Sequence, residues 1–178
     1  QSAALAWERT AFIRARAVAG DLAMGRDFLA AVSPFVWRRS LDYSALAEIR
    51  EVSHRIRDHF EEGQQLGPGF DLKRGRGGIR EVEFHAQTLQ MIWGGRDPAL
   101  RSGNTLEALE ALANAGKLAP EDAATLADAY RYYRRLEHRI QMVNDQQTHS
   151  VPKLAADRNA VALLDGKVTS TTLRSTVT

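Results

Sequence analysis

A chain of 178 residues, 44% hydrophobic and 26% charged, has the make-up of a soluble globular protein and the length for one domain or pieces of two. It has no cysteine, which excludes disulfides and thiolate zinc sites, and its longest apolar stretches, such as residues 28–32 and 161–164, are far too short for a membrane span. A net charge of +2 is small for a nucleic-acid binder, so neither nucleic acid nor membrane is an expected partner and a cytoplasmic setting is the default. The chain opens at Gln1 with no leader pattern, which reads as a piece of something longer.

Helical periodicity dominates. Residues 3–17 read as one helix, and residues 21–32 as a second, started by Asp21 after Gly20 and stopped before Pro34. From residue 43 to 62 the apolar positions Leu46, Ile49, Val52, Ile56 and Phe60 mark one face of a long amphipathic helix. Gly63 to Gly69 then breaks the pattern and is the best boundary. A short extended segment is expected at residues 70–73, followed by a glycine-rich turn. A helix over 78–93 comes next, with Ile79, Val82, Ala86, Leu89 and Trp93 on one face and Arg80, Glu83, Gln87 and Gln90 opposite. Asn104 or Thr105 caps a shorter helix closed by Gly116, and Pro120, with two acids behind it, opens the longest one. Its core face carries Leu126, Ala129, Tyr133, Leu136, Ile140 and Val143. A last helix covers 154–164. Seven of the last thirteen residues are Ser or Thr without periodicity, which predicts a disordered tail over 166–178.

The segment with most chemistry runs from Asp71 to Phe84. Between Lys73 and Arg80 it holds four cations, three glycines and no acid. Glycines let backbone amides approach an anion, and a helix that begins there presents its positive end. Lys73, Arg76, Gly77, Gly78 and Arg80 are therefore candidates for a phosphate or nucleotide site. Lys73 is one of only four lysines among 24 basic residues, which suits a need for a compact ammonium. Glu81 and Glu83 are candidate orienting carboxylates, and Glu83 is equally suited to a structural pair with Arg80 or Arg76. A tight turn with solvated arginines has the same composition, and the residues alone leave both readings open.

Two further segments are basic. Residues 7–16 place Arg9, Arg14 and Arg16 on an amphipathic helix, and residues 130–141 interleave tyrosines with arginines. Tyr133 falls on a core face and Glu137 lies among the arginines, so the second reads as a solvated basic face rather than a base-stacking surface. No histidine pair has metal-ligand spacing and no Ser stands in a nucleophile context, so no catalytic or metal-ligating residue is assigned.

These segments, in this order, resemble the bifunctional enzyme that attaches AMP to glutamine synthetase and removes it. Lys73-Arg-Gly-Arg-Gly-Gly-Ile-Arg-Glu-Val-Glu-Phe84 is similar to that family's K-x-G-x-G-G-I-R-E-I-E-F signature. Trp7-Glu-Arg9, Pro34-Phe-Val-Trp-Arg-Arg39, Gly94-Gly-Arg96, Leu136-Glu-His138 and Asp145-Gln-Gln-Thr-His149 match flanking segments. The resemblance runs from residue 5 to about 165. Arg80-Glu81 favours the half that removes AMP, and Ile79 and Glu81 argue against the more distant PII uridylyltransferases.

The resemblance implies a mainly α chain: a helical bundle with one short extended segment before the glycine-rich turn, following a nucleotidyltransferase palm that is mostly absent. Residues 1–66 would be the helical end of the nucleotidyltransferase region and residues 67–165 a helical domain beginning with the glycine-rich motif. It implies an enzyme that removes AMP from a glutamine synthetase tyrosine by phosphorolysis, with Mg²⁺ and ATP, ADP or phosphate bound by the full-length protein. Glutamine synthetase and the PII signal protein are the implied partners. The family's metal-binding aspartates lie in motifs that this chain does not contain, so the chain alone is expected to be inactive. The rival readings are a non-catalytic helical module docking glutamine synthetase or PII, and a piece of a PII uridylyltransferase.

Overall fold

The computed structural model describes residues 6–39, 47, 51 and 65–166. The helix expected over 43–62 and the tail after Gly166 lie outside them. Among the described residues the chain is mainly helical and has no strand, as its periodicity predicts. In chain order the helices are α1 (Ala6–Ile13), α2 (Leu22–Val36), α3 (Ile79–Trp93), a single 3₁₀ turn (Pro98–Leu100), α4 (Thr105–Asn114), α5 (Pro120–Asn144) and α6 (Ala155–Leu164). They fall into two compact units. Residues 1–54 and 83–127 make the first, and residues 55–82 and 128–178 the second.

In the first unit, Ile13, Val36 and Met91 form a buried cluster flanked by Phe12, Phe35 and Trp37. That cluster corrects two helix ends. Helix α1 stops at Ile13 rather than continuing to 17, because the next residue is captured: Arg14 donates to Glu83 at 3.1 Å and to the Thr105 hydroxyl. Tertiary contacts outweigh the helix preference of Arg-Ala-Arg-Ala. Helix α2 does not stop before Pro34 but runs through it to Val36. Proline here forfeits one hydrogen bond in the final turn, whereas ending at residue 32 would withdraw Val36 from the cluster. Trp37 N–H closes the helix on the Ser33 carbonyl at 2.9 Å. Arg9, expected on a basic face, is buried with its guanidinium 5.3 Å from the Phe35 ring centre.

Caps behave as the sequence predicts. The Asp21 carboxylate accepts from Ala23 and Met24 N–H, and the Asn104 amide oxygen from Leu106 and Glu107 N–H. Gly116 follows α4 with φ +65°. Asn104→Ala should therefore cost about 1 kcal/mol, measurable as a lower midpoint in urea unfolding, while Asn104→Asp should leave it nearly unchanged. Two residues assigned to the polar face of α3 are buried instead. Gln87 is enclosed, and the Gln90 amide donates to the Leu100 carbonyl at 2.7 Å and the Ser102 carbonyl at 2.8 Å. These bonds tie the 3₁₀ turn to the helix, which explains why an amide tolerates that burial.

The second unit is built on Phe70, Leu72, Leu136, Ile140 and Val161, with Tyr132, Tyr133, Val143 and Val151 packed around them. The extended segment expected at 70–73 is present as a short antiparallel pairing rather than a strand. Asp71 bridges Ser150; Gly69 N–H donates to the Val151 carbonyl, Val151 N–H to the Phe70 carbonyl, and Leu72 N–H to the His149 carbonyl. Tyr133 lies on the core face as predicted, and burial pushes the phenols of Tyr132 and Tyr133 above their ordinary value. The arginines of α5 are not simply solvated. Arg134 holds the buried Glu137 carboxylate at 2.6 Å, with His149 Nδ1 2.6 Å from its other oxygen, and Arg135 and Arg139 converge on Asp165.

Candidate anion-binding site

The glycine-rich turn is fixed from below by Asp71. One carboxylate oxygen accepts from Lys73 and Arg74 N–H, both at 2.9 Å, and the Asp71 carbonyl accepts from Gly75 N–H at 2.7 Å. Gly78 N–H donates to the Gly75 carbonyl, Ile79 N–H to Leu72, and Arg80 N–H to Lys73. Gly77 has φ +77°, a conformation that glycine adopts without penalty, and its N–H is taken by the Glu81 carboxylate at 3.1 Å. Glu81 stands third in α3, and its carboxylate reaches back over the helix start to the amide two residues before it, where an acid suits the positive end of the helix.

The structure therefore places the candidate residues as follows. Lys73 and Arg80 are half-buried, Arg76 and Gly77 exposed, and Gly78 buried beneath the turn. Glu81 is brought to the turn, where its carboxylate accepts from the Gly77 amide. Glu83 belongs to the first unit, where its carboxylate takes Arg14 at 3.1 Å. Arg14, which this ion pair and Thr105 engage, was legible only as one of several basic positions on a helix, since its partners lie 69 and 91 residues away.

The amides of Lys73, Arg74, Gly75, Gly77, Gly78, Ile79 and Arg80 are all engaged within the turn. What the turn offers to solvent is side-chain charge. Among the described residues, Lys73 and Arg76 have no hydrogen-bond or ion-pair partner for their side chains. They stand beside a backbone most of whose N–H groups are already engaged, so an anion arriving here would meet an ammonium and a guanidinium rather than a ring of N–H groups. Among the described residues no three His, Cys, Asp or Glu side chains gather as a metal-ligand set.

A family model described as GlnD PII-uridylyltransferase matches residues 46–173. The chain belongs to that family. The match runs past residue 165, where the recognisable motifs end, so part of the Ser/Thr-rich tail follows the family rather than departing from it. Curated relatives at comparable length of match carry the name bifunctional glutamine synthetase adenylyltransferase/adenylyl-removing enzyme. The one from Caulobacter vibrioides is 52% identical over 161 residues, 90% of this chain and 16% of the relative. That from Xanthobacter autotrophicus is 54% identical over 147 residues, 83% and 15%. That from Agrobacterium fabrum is 46% identical over 160 residues, 90% and 16%. The chain thus spans about one-sixth of the length of these relatives, and the resemblance read from its motifs is upheld. No helix among the described residues is long and apolar enough to cross a membrane.

Proposed function

We propose that this chain is the helical part of an enzyme that reversibly adenylylates glutamine synthetase, in the half that removes AMP from a tyrosine by phosphorolysis, and that its glycine-rich turn meets the phosphate or nucleotide. The names of its relatives support the enzyme class. The observation that carries the role of the turn is the presence of two cations, Lys73 and Arg76, without partners among the described residues, on a backbone locked by Asp71 and Glu81. In that reading Lys73, Arg76 and Arg80 neutralise the anion, while Gly77 and Gly78 allow the turn. Glu81 positions the turn rather than the phosphate, and Glu83 acts on Arg14. Mg²⁺ would be held by carboxylates of the nucleotidyltransferase core elsewhere in the parent, and nothing assigned to this chain depends on it. The cytoplasm is the compartment proposed, with PII as the regulatory partner.

The chemistry asked of these cations is modest. Phosphate is itself the nucleophile in phosphorolysis, attacking the adenylyl phosphorus and releasing ADP and the tyrosine hydroxyl. Holding two anions together needs their repulsion offset, which fixed positive charge supplies.

In the full-length parent, Lys73→Ala combined with Arg76→Ala should lower phosphate-dependent release of ADP from adenylylated glutamine synthetase about ten- to a hundredfold, with little change in unfolding temperature. Lys73→Arg, which keeps charge but changes shape, should fall in between. Wild-type phosphorolysis in both variants would reduce the segment to a structural turn. The internally satisfied amides favour a second reading, in which the turn braces the fold and its cations dock an acidic surface of glutamine synthetase. A raised KM for the protein substrate with an unchanged KM for phosphate would select that one.

A further inference from the structure

The first unit contains a cleft of about 770 Å³ lined by Ser33, Trp37, Arg39, Gly95, Arg96 and Arg101 among others. It unites two segments that the function proposed above does not use, residues 34–39 and 94–101. We propose that this cleft is a second anion site, which binds the phosphoryl group of a small ligand with room for a nucleoside diphosphate.

Three arginines line one concavity whose lining includes no carboxylate, and among the described residues none of the three forms an ion pair. Like charges held together in a partly enclosed space repel one another, and the arrangement persists most easily where a counter-anion is bound. Three arginines suit a dianion better than a single carboxylate.

Arg96 Nε donates to the Arg39 carbonyl at 3.1 Å and Arg101 Nε to the Gly94 carbonyl at 2.6 Å. Each guanidinium is thereby anchored by its inner nitrogen and keeps its outer nitrogens for a ligand. Arg101 is further steadied 5.5 Å from the Trp37 ring centre. The backbones that carry these anchors are in close contact. A Cβ on Gly94 would come within 2.9 Å of the Trp37 ring and 2.6 Å of the Gln90 carbonyl, and one on Gly95 would overlap the Arg38 carbonyl. The glycine pair that ends α3 thus lets the chain lie flush against residues 37–39 and sets the arginines in register.

A volume of this order lies in the range of small-molecule sites and far exceeds one phosphate, so a nucleotide can lie in the cleft with its phosphates on the arginines.

The test is a titration of the ¹⁵N-labelled chain with ADP, with inorganic phosphate and with succinate, all without metal. The Trp37 indole N–H and the Arg96 and Arg101 Nε–H signals are followed. Saturable shifts at these groups are expected with a phosphorylated ligand and not with succinate. Tighter half-saturation by ADP identifies the ligand as a nucleotide, and equal or tighter saturation by phosphate identifies it as the free anion. Arg39→Gln and Arg96→Gln, at exposed positions, should each weaken binding about tenfold. Lys73→Ala with Arg76→Ala should leave these shifts unchanged, which separates this cleft from the glycine-rich turn. Absence of saturable shifts at Trp37 and Arg101 in the unaltered chain overturns the proposal whatever the variants do, as does equal saturation by succinate. Shifts confined to residues 73–80 also overturn it while leaving the proposed function standing.

Discussion

Replacing Asp165 with alanine is expected to lower the stability of the second unit by about 3 kcal/mol, the scale for removing one partner of a buried ion pair. Asp165 lies just past the end of α6 with its carboxylate 1% exposed, and one oxygen takes both Arg135, at 3.2 Å, and Arg139. The Arg139 side chain is mostly enclosed, so it cannot fully recover hydration when the acid is lost, whereas Arg135 is half-exposed and can. The cost should therefore run mainly through Arg139. A double-mutant cycle measures this: Asp165→Ala combined with Arg139→Met should be markedly less destabilised than the sum of the single changes. Urea unfolding midpoints that simply add, or an Asp165→Ala cost below about 1 kcal/mol, would show that the pair is a surface contact of small worth.

This ion pair illustrates what the sequence could and could not convey. Helix spacing, caps and the core stripe of α5 are local patterns, with periods of three and four residues, and they were readable because each helix must bury one face. The Asp71–Ser150 pairing, Arg14 on Glu83 and Arg139 on Asp165 join residues 26 to 79 positions apart, and no local pattern specifies a partner at that distance. Composition marked residues 130–141 as basic, but not that its charges are neutralised by Glu137 and Asp165. Gln90 shows the converse. Its side chain assigns it to the polar face, yet it stands four residues after Ala86 and three before Trp93, at the edge of the apolar stripe, where the Leu100 and Ser102 carbonyls accept from its amide. At the glycine-rich turn the sequence indicated the cations and the need for glycine. It did not indicate that Asp71 and Glu81 would occupy the amides, because either acid could as well have faced solvent.

The glycines of that turn should differ sharply in what they tolerate, and Gly75→Ala is expected to be the most damaging, at about 3 kcal/mol. A Cβ on Gly75 would strike the Phe70 ring and stand 2.5 Å from the Asp71 carbonyl oxygen. Phe70 is 1% exposed in the core, and that carbonyl accepts the hydrogen bond from Gly75 itself, so neither can retreat without loosening the turn. Gly78→Ala should come close behind, because its Cβ would lie 2.7 Å from the Leu72 carbonyl oxygen and 2.8 Å from that of Gly75, the acceptors for Ile79 and Gly78 N–H. Gly77 is different: a Cβ there meets nothing within 4 Å, so alanine costs only the strain of its φ of +77°, about 1 kcal/mol. The order Gly75 ≥ Gly78 > Gly77 in thermal or urea unfolding is the expected result. Equal costs at Gly75 and Gly77 would mean that backbone conformation, not packing on Phe70, fixes the turn. The order also guides the functional test: Gly77→Ala leaves the packing intact, so a loss of phosphorolysis in that variant, larger than its small stability cost explains, reports on the anion beside Lys73 and Arg76 rather than on the fold.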